Sequence, residues 1–133
     1  LAFAGEPANW LGGMKGALIR GHFTGPLVCS TDNATFILVG KTLGRRSYSI
    51  YDYRFRYLPL QGGVMHGGQK IVVLRDNKYI GQYALSPPPY AAVTIRGAFL
   101  VVQTDGDRSV EFDFSSGPPN TIYVDGETEV FYR

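Results

Sequence analysis

Arg45, Arg46, Tyr53, Arg54 and Arg56 are the residues whose types and spacing most invite a ligand. A guanidinium is a planar fork that pairs with carboxylates and phosphates and stacks on rings. A tyrosine face takes sugars or bases. Tyr51 and Tyr57 complete the constellation. A purely structural role competes with this reading. Tyr51, Tyr53, Phe55 and Tyr57 share one parity, and Asp52, Arg54 and Arg56 share the other. In a strand those sets face opposite sides, which makes the aromatic side core and the arginines an ordinary solvated face. His66 is the second candidate. It lies in the glycine-rich segment 59–69, PLQGGVMHGGQ, which reads as a mobile loop, and such loops on β scaffolds often carry binding residues.

Catalytic chemistry has less to work with. His22 and His66 are the only histidines and Cys29 the only cysteine. A zinc site needs three or four ligands at recognisable spacing, which these do not supply, and no metal or cofactor is expected. Asp105-Gly106-Asp107 looks like part of a calcium loop but lacks its distal Glu, so it reads as a hairpin turn. There is no G-x-S-x-G, phosphate loop or H-E-x-x-H. Asp52 and Glu111 as paired glycosidase carboxylates have no local support.

Bulk properties narrow the field. The chain has 133 residues, with 13 Lys plus Arg against 11 Asp plus Glu. A net charge of +2 gives no strong nucleic-acid signal. One cysteine allows no internal disulfide. No apolar run is long enough for a transmembrane helix. Leu1-Ala2-Phe3-Ala4 has the Ala-x-Ala form of a signal-peptidase site, which predicts an export-signal remnant with the mature protein starting near Gly5. On this reading residues 1–15 are that remnant plus an irregular segment in which Trp10 plugs the core. Residues 16–133 form one domain.

The positioning elements are strands. Lys70 to Leu85 reads as a central hairpin with a type I′ turn at Asp76-Asn77, both of which tolerate φ > 0. Its register sets Leu74 opposite Tyr79, Val73 opposite Ile80 and Ile71 opposite Gln82. Further strands are expected at 17–24, at 34–39 as a buried strand, and at 47–58. Ser86-Pro87-Pro88-Pro89 is a stiff link. Residues 91–103 fold back at a type II′ turn on Gly97-Ala98, so that Val93, Ile95, Leu100 and Val102 share a face. Strand 110–114 follows. Residues 121–124 and 130–132 pair through a four-residue loop that sets Ile122 opposite Phe131. The whole is an all-β, single-domain antiparallel sandwich or barrel of about nine to eleven short strands with little or no helix.

Such folds host many functions. The primary reading is an exported, periplasmic or secreted, non-catalytic β-domain that binds a protein, a glycan or a cell-envelope component. A homodimer through exposed edge strands is a further expectation. One alternative is a single-stranded nucleic-acid-binding barrel using the aromatic and Arg strand. The other is a small hydrolase-like enzyme with a site near His66, using His22 or Cys29.

Overall fold

The computed structural model describes residues 2–3, 20–21, 26–27, 34–57, 66–85, 90–104, 108–124 and 126–133. The described elements are eleven strands: β1 (Ala2–Phe3), β2 (Pro26–Leu27), β3 (Ala34–Lys41), β4 (Ser49–Tyr57), β5 (His66–Arg75), β6 (Lys78–Leu85), β7 (Ala92–Arg96), β8 (Phe99–Gln103), β9 (Ser109–Asp113), β10 (Thr121–Val124) and β11 (Glu127–Val130). They pair in chain order into a four-stranded meander β3-β4-β5-β6, a three-stranded meander β7-β8-β9 and a hairpin β10-β11. All of these pairings are antiparallel, and only β1 and β2 pair in parallel. The fold is therefore all-β and antiparallel. No described helix is long and apolar enough to cross a membrane, which says nothing of membrane barrels.

Turn chemistry fixes the strand pairs. Asp76 and Asn77 have φ of 52° and 59°, the left-handed pair that a type I′ turn requires. Arg75 and Lys78 therefore stand opposite each other, as do Leu74 and Tyr79. Beyond that point the expected register is off by one. A bulge at Ile80 sets Val73 opposite Gly81 and Ile71 opposite Tyr83. The extra residue re-aims the strand, sending Tyr83 to the core face and Gln82 to the other. At the β7–β8 turn Gly97 has φ 63°, and Val93 pairs with Val102 and Ile95 with Leu100 as expected.

One apolar core joins the sheets. Ile50, Ile71, Val73, Tyr83 and Leu85 come from the first meander, Val93, Leu100 and Val102 from the second, and Ile122 and Val124 from β10. Tyr48 meets Phe114 edge-on at 6.1 Å. Each fully buried aliphatic side chain here stabilises by about 1.5–3 kcal/mol relative to exposure. The opposite face of the first meander is also closed: Tyr53, Val72, Leu74 and Tyr79 are all at most 4% exposed. Burial pushes the Tyr79 and Tyr83 hydroxyls above the ordinary tyrosine range.

Several expectations need correcting. Ala34 to Val39 is not a buried strand. It belongs to β3, the edge of its meander, and Ile37 and Leu38 are each 54% exposed. The segment 59–69 is not all loop, because β5 extends back to His66 and pairs with β4 as far as Tyr57. Its glycines serve close packing there. A Cβ on Gly68 would collide with the Phe55 ring, so the aromatic ring takes the space a side chain would fill. In the segment 17–24, Arg20 is helical and Gly21 a turn rather than strand. The Arg20 guanidinium donates two hydrogen bonds to the Asn77 carbonyl at 3.1 and 2.7 Å. The last hairpin has a two-residue loop, with Ile122 opposite Glu129. Phe131 instead leaves the hairpin to cover Gly81 on β6. Desolvation and Glu127 together push the Glu129 carboxyl upward. The readings at Trp10, His22, Cys29 and Ser86-Pro87-Pro88-Pro89 lie outside the described residues.

Candidate functional site

The residues singled out by type and spacing are separated by the fold. Arg45 and Arg46 are exposed in the β3–β4 connection. Arg56 lies near the far end of the nine-residue β4, about 30 Å away at the usual strand rise. Tyr53 is 1% exposed and points to the opposite side of β4 from Arg54 and Arg56. It is stacked between Phe36 at 4.2 Å and Phe55 at 5.1 Å. His66 pairs with Tyr57 at the start of β5. Arg54 and Arg56 share one face of β4, and position 66, opposite Tyr57, stands on the other face with Tyr53.

Arg54 belongs to a clasp. Its guanidinium meets the Asp52 carboxylate at 3.0–3.1 Å, donates to the Ala91 carbonyl at 3.0 Å and lies 5.0 Å from the centre of the Tyr90 ring. The other Asp52 oxygen accepts from Gln69 Nε2 at 2.9 Å. Gln69 also bridges both backbone groups of Ala91, accepting from its N–H and donating to its carbonyl, each at 2.9 Å. Tyr90 donates to the Phe55 carbonyl at 3.2 Å. Asp52 is 5% exposed and Gln69 2%. A buried carboxylate persists only when it is paired and hydrogen-bonded, and here both requirements are met from within. The clasp fastens the strand entering the second meander onto the first, and its charge is already answered.

A second group of cations was not anticipated. Arg75, Asp76, Lys78, Ile80 and Arg133 line a cleft of about 430 Å³ beside the β5–β6 turn. The type I′ turn sets Arg75 directly opposite Lys78, and like charges at opposed positions repel. The bulge brings Ile80 to the same side. Arg133 arrives from the chain's last described segment. Gln82 and Tyr132 exchange backbone hydrogen bonds of 2.8 and 3.0 Å, which lays residue 133 alongside β6. Its guanidinium also donates to the Gly21 carbonyl at 3.0 Å. The one carboxylate, Asp76, is 3.7 Å from Arg75 Nε and its side chain is 89% exposed. Such a pair contributes at most about 1 kcal/mol. Among the described residues three cations thus converge on one cleft with a single solvated counter-charge.

Part of this was readable. Arg75-Asp76-Asn77-Lys78 spells two cations flanking a two-residue turn, and the turn alone makes them neighbours. Arg133 carried no such signal, because its position depends on the bridge to Gln82. Among the described residues no group of three or more His, Cys, Asp and Glu side chains is arranged to hold a metal ion. No protein-family model, curated protein or solved structure matches this chain.

Proposed function

We propose that this chain is an exported, non-catalytic β-domain whose task is binding, and that the cleft at the β5–β6 turn receives an anionic group of its ligand or partner. One observation carries the binding reading: among the described residues, Arg75, Lys78 and Arg133 converge on a cleft that Asp76 lines as the single carboxylate. Opposed cations at adjacent strand ends repel, so an anion between them removes a repulsion as well as adding attraction. The volume falls within the roughly 300–1,000 Å³ typical of small-ligand sites. Export is supported by the Ala2-x-Ala4 spacing. Recovering protein that starts near Gly5 after expression of the full gene is the expected outcome. Recovery of chains that still carry the preceding residues contradicts export.

The binding reading is tested by nuclear magnetic resonance titration with three anionic probes: a heparin fragment, a polyglutamate and a single-stranded oligothymidine. At low salt at least one of them should shift the resonances of Arg75, Lys78, Ile80 and Arg133. The shifts should weaken near 1 M salt, where the screening length falls to about 3 Å. Shifts centred on Arg54 and Arg56, or none with any probe, contradict the reading. The oligothymidine arm also tests the alternative of a single-stranded nucleic-acid binder.

A further inference from the structure

We propose that the cleft takes a dianionic phosphate monoester in preference to a singly charged sulfate ester or carboxylate. This inference rests on the anion-binding reading above. The argument begins with charge. Among the described lining residues Arg75, Lys78 and Arg133 bring three positive charges and Asp76 one negative, a net excess of two positive charges. A carboxylate or sulfate ester answers one of these. A phosphate monoester above its second pKa of about 6 answers both.

Donor geometry agrees. Two guanidinium groups and one ammonium come from three separate backbone positions, the end of β5, the start of β6 and residue 133, where one Arg133 N–H is held by the Gly21 carbonyl and the rest of the fork remains for a ligand. Arginine forks grip two oxygens of a planar or tetrahedral oxyanion, and the lysine acts as a point charge toward a remaining one. The phosphate ester offers three terminal oxygens to these donors. Ile80 gives the same cleft an apolar wall, and the volume exceeds what a bare phosphate fills, so the ester's organic part has a place against it. Arg20 is engaged with the Asn77 carbonyl at the back of the turn and is not among the lining residues. Among the described residues no histidine lines the cleft, and phenyl sulfate, whose charge is constant between pH 5 and 8, separates protonation of the ligand from protonation of the protein.

Phenyl phosphate and phenyl sulfate are the matched probes, because they share a ring and differ in charge. The full chain is titrated with each, following the Arg75 and Arg133 Nε–H signals and the Ile80 methyl signals. At pH 7.5 phenyl phosphate should bind roughly tenfold more tightly, the order expected for one added charge at a partly solvated site. At pH 5, where the phosphate is largely monoanionic, the two affinities should agree within about twofold. Lys78→Ala should narrow the pH 7.5 preference. Arg108→Ala, which removes an exposed cation elsewhere, should leave it unchanged. Equal affinities at pH 7.5, or a preference that survives at pH 5, overturn the dianion inference while leaving the anion-binding reading standing. If neither probe shifts the cleft signals, the dianion inference falls, and the anion-binding reading stands or falls with the heparin, polyglutamate and oligothymidine titrations.

Discussion

Two groups of cations project from the same side of the first meander and meet opposite fates. Arg54 sits at one end, opposite Gln69, and Arg75 sits six residues further along β5 from that glutamine. Ile71 and Val73 lie between them in the core. At the first end Asp52, the Ala91 carbonyl and the Tyr90 ring answer the guanidinium. At the second, Arg75, Lys78 and Arg133 share one exposed carboxylate among the described residues. The difference teaches that an arginine's availability depends on what surrounds it, not on the density of arginines and tyrosines along the chain. The clasp is a structural joint that happens to be charged. The cleft is a charged surface whose natural complement is external.

This contrast can be broken by mutation, and the largest effect is expected at the clasp. Asp52→Ala leaves Arg54 and Gln69 without their buried acceptor, and should lower unfolding free energy by about 2–4 kcal/mol in urea titrations. A loss below 1 kcal/mol would mean that the clasp is not structural. On the other face, Gly68→Ala forces Phe55 away from the strand and should cost about 1–3 kcal/mol. Phe55→Ala in the same chain should recover part of that loss, which a double-mutant cycle measures.

The core between the two ends gives a pH signature. The folded state holds the Tyr79 and Tyr83 hydroxyls above the ordinary value of 10.0. Their stabilisation is present below the unfolded value and is lost as pH rises through the folded one. Stability should therefore fall as pH climbs beyond about 10, where unfolded tyrosines ionise. In spectrophotometric titration at least three of the nine tyrosines should ionise above the ordinary range, Tyr79 and Tyr83 resisting until the chain unfolds and the more exposed Tyr132 shifted upward as well. Ionisation of all nine near pH 10 with the fold intact would contradict the packing.

The smallest stability effect belongs to the cleft. Lys78→Thr relieves its opposition to Arg75 and should raise stability by a few tenths of a kcal/mol, while weakening anion binding several-fold. Removing a clasp charge destabilises and removing a cleft charge does not, and that opposition of sign is the comparison in its sharpest form. A destabilisation of more than 1 kcal/mol by Lys78→Thr would erase it.

Local chemistry was legible in the sequence where one turn decides the outcome. Asp76-Asn77 and Gly97-Ala98 carry their turn types in their residue identities, and the alternation from Ser49 to Tyr57 announces β4. What was hidden depends on longer-range packing. Parity separates Tyr53 from Arg54 but does not say which side meets the second sheet, and it is the Ile50–Asp52–Arg54 side that does. The bulge at Ile80 shifts the register without any residue that demands it. Apolar composition at Ile37 and Leu38 suggested burial, but strand order left them on an edge. In the last hairpin, burial of Ile122 suggested Phe131 as its partner, but the chain met Gly81 with that ring and accepted Glu129 opposite Ile122. The cleft was half hidden for the same reason: the turn makes residues 75 and 78 neighbours, but residue 133 joins them only after residue 132 bridges to β6.

Arginine side-chain resonances, followed as inorganic phosphate is added to the intact chain, test the contrast most directly. The Nε–H signals of Arg75 and Arg133 should move along a saturating curve while that of Arg54 stays in place. Movement of Arg54 in step with the others, or a linear drift of all arginines alike, would show that the two groups of cations do not differ.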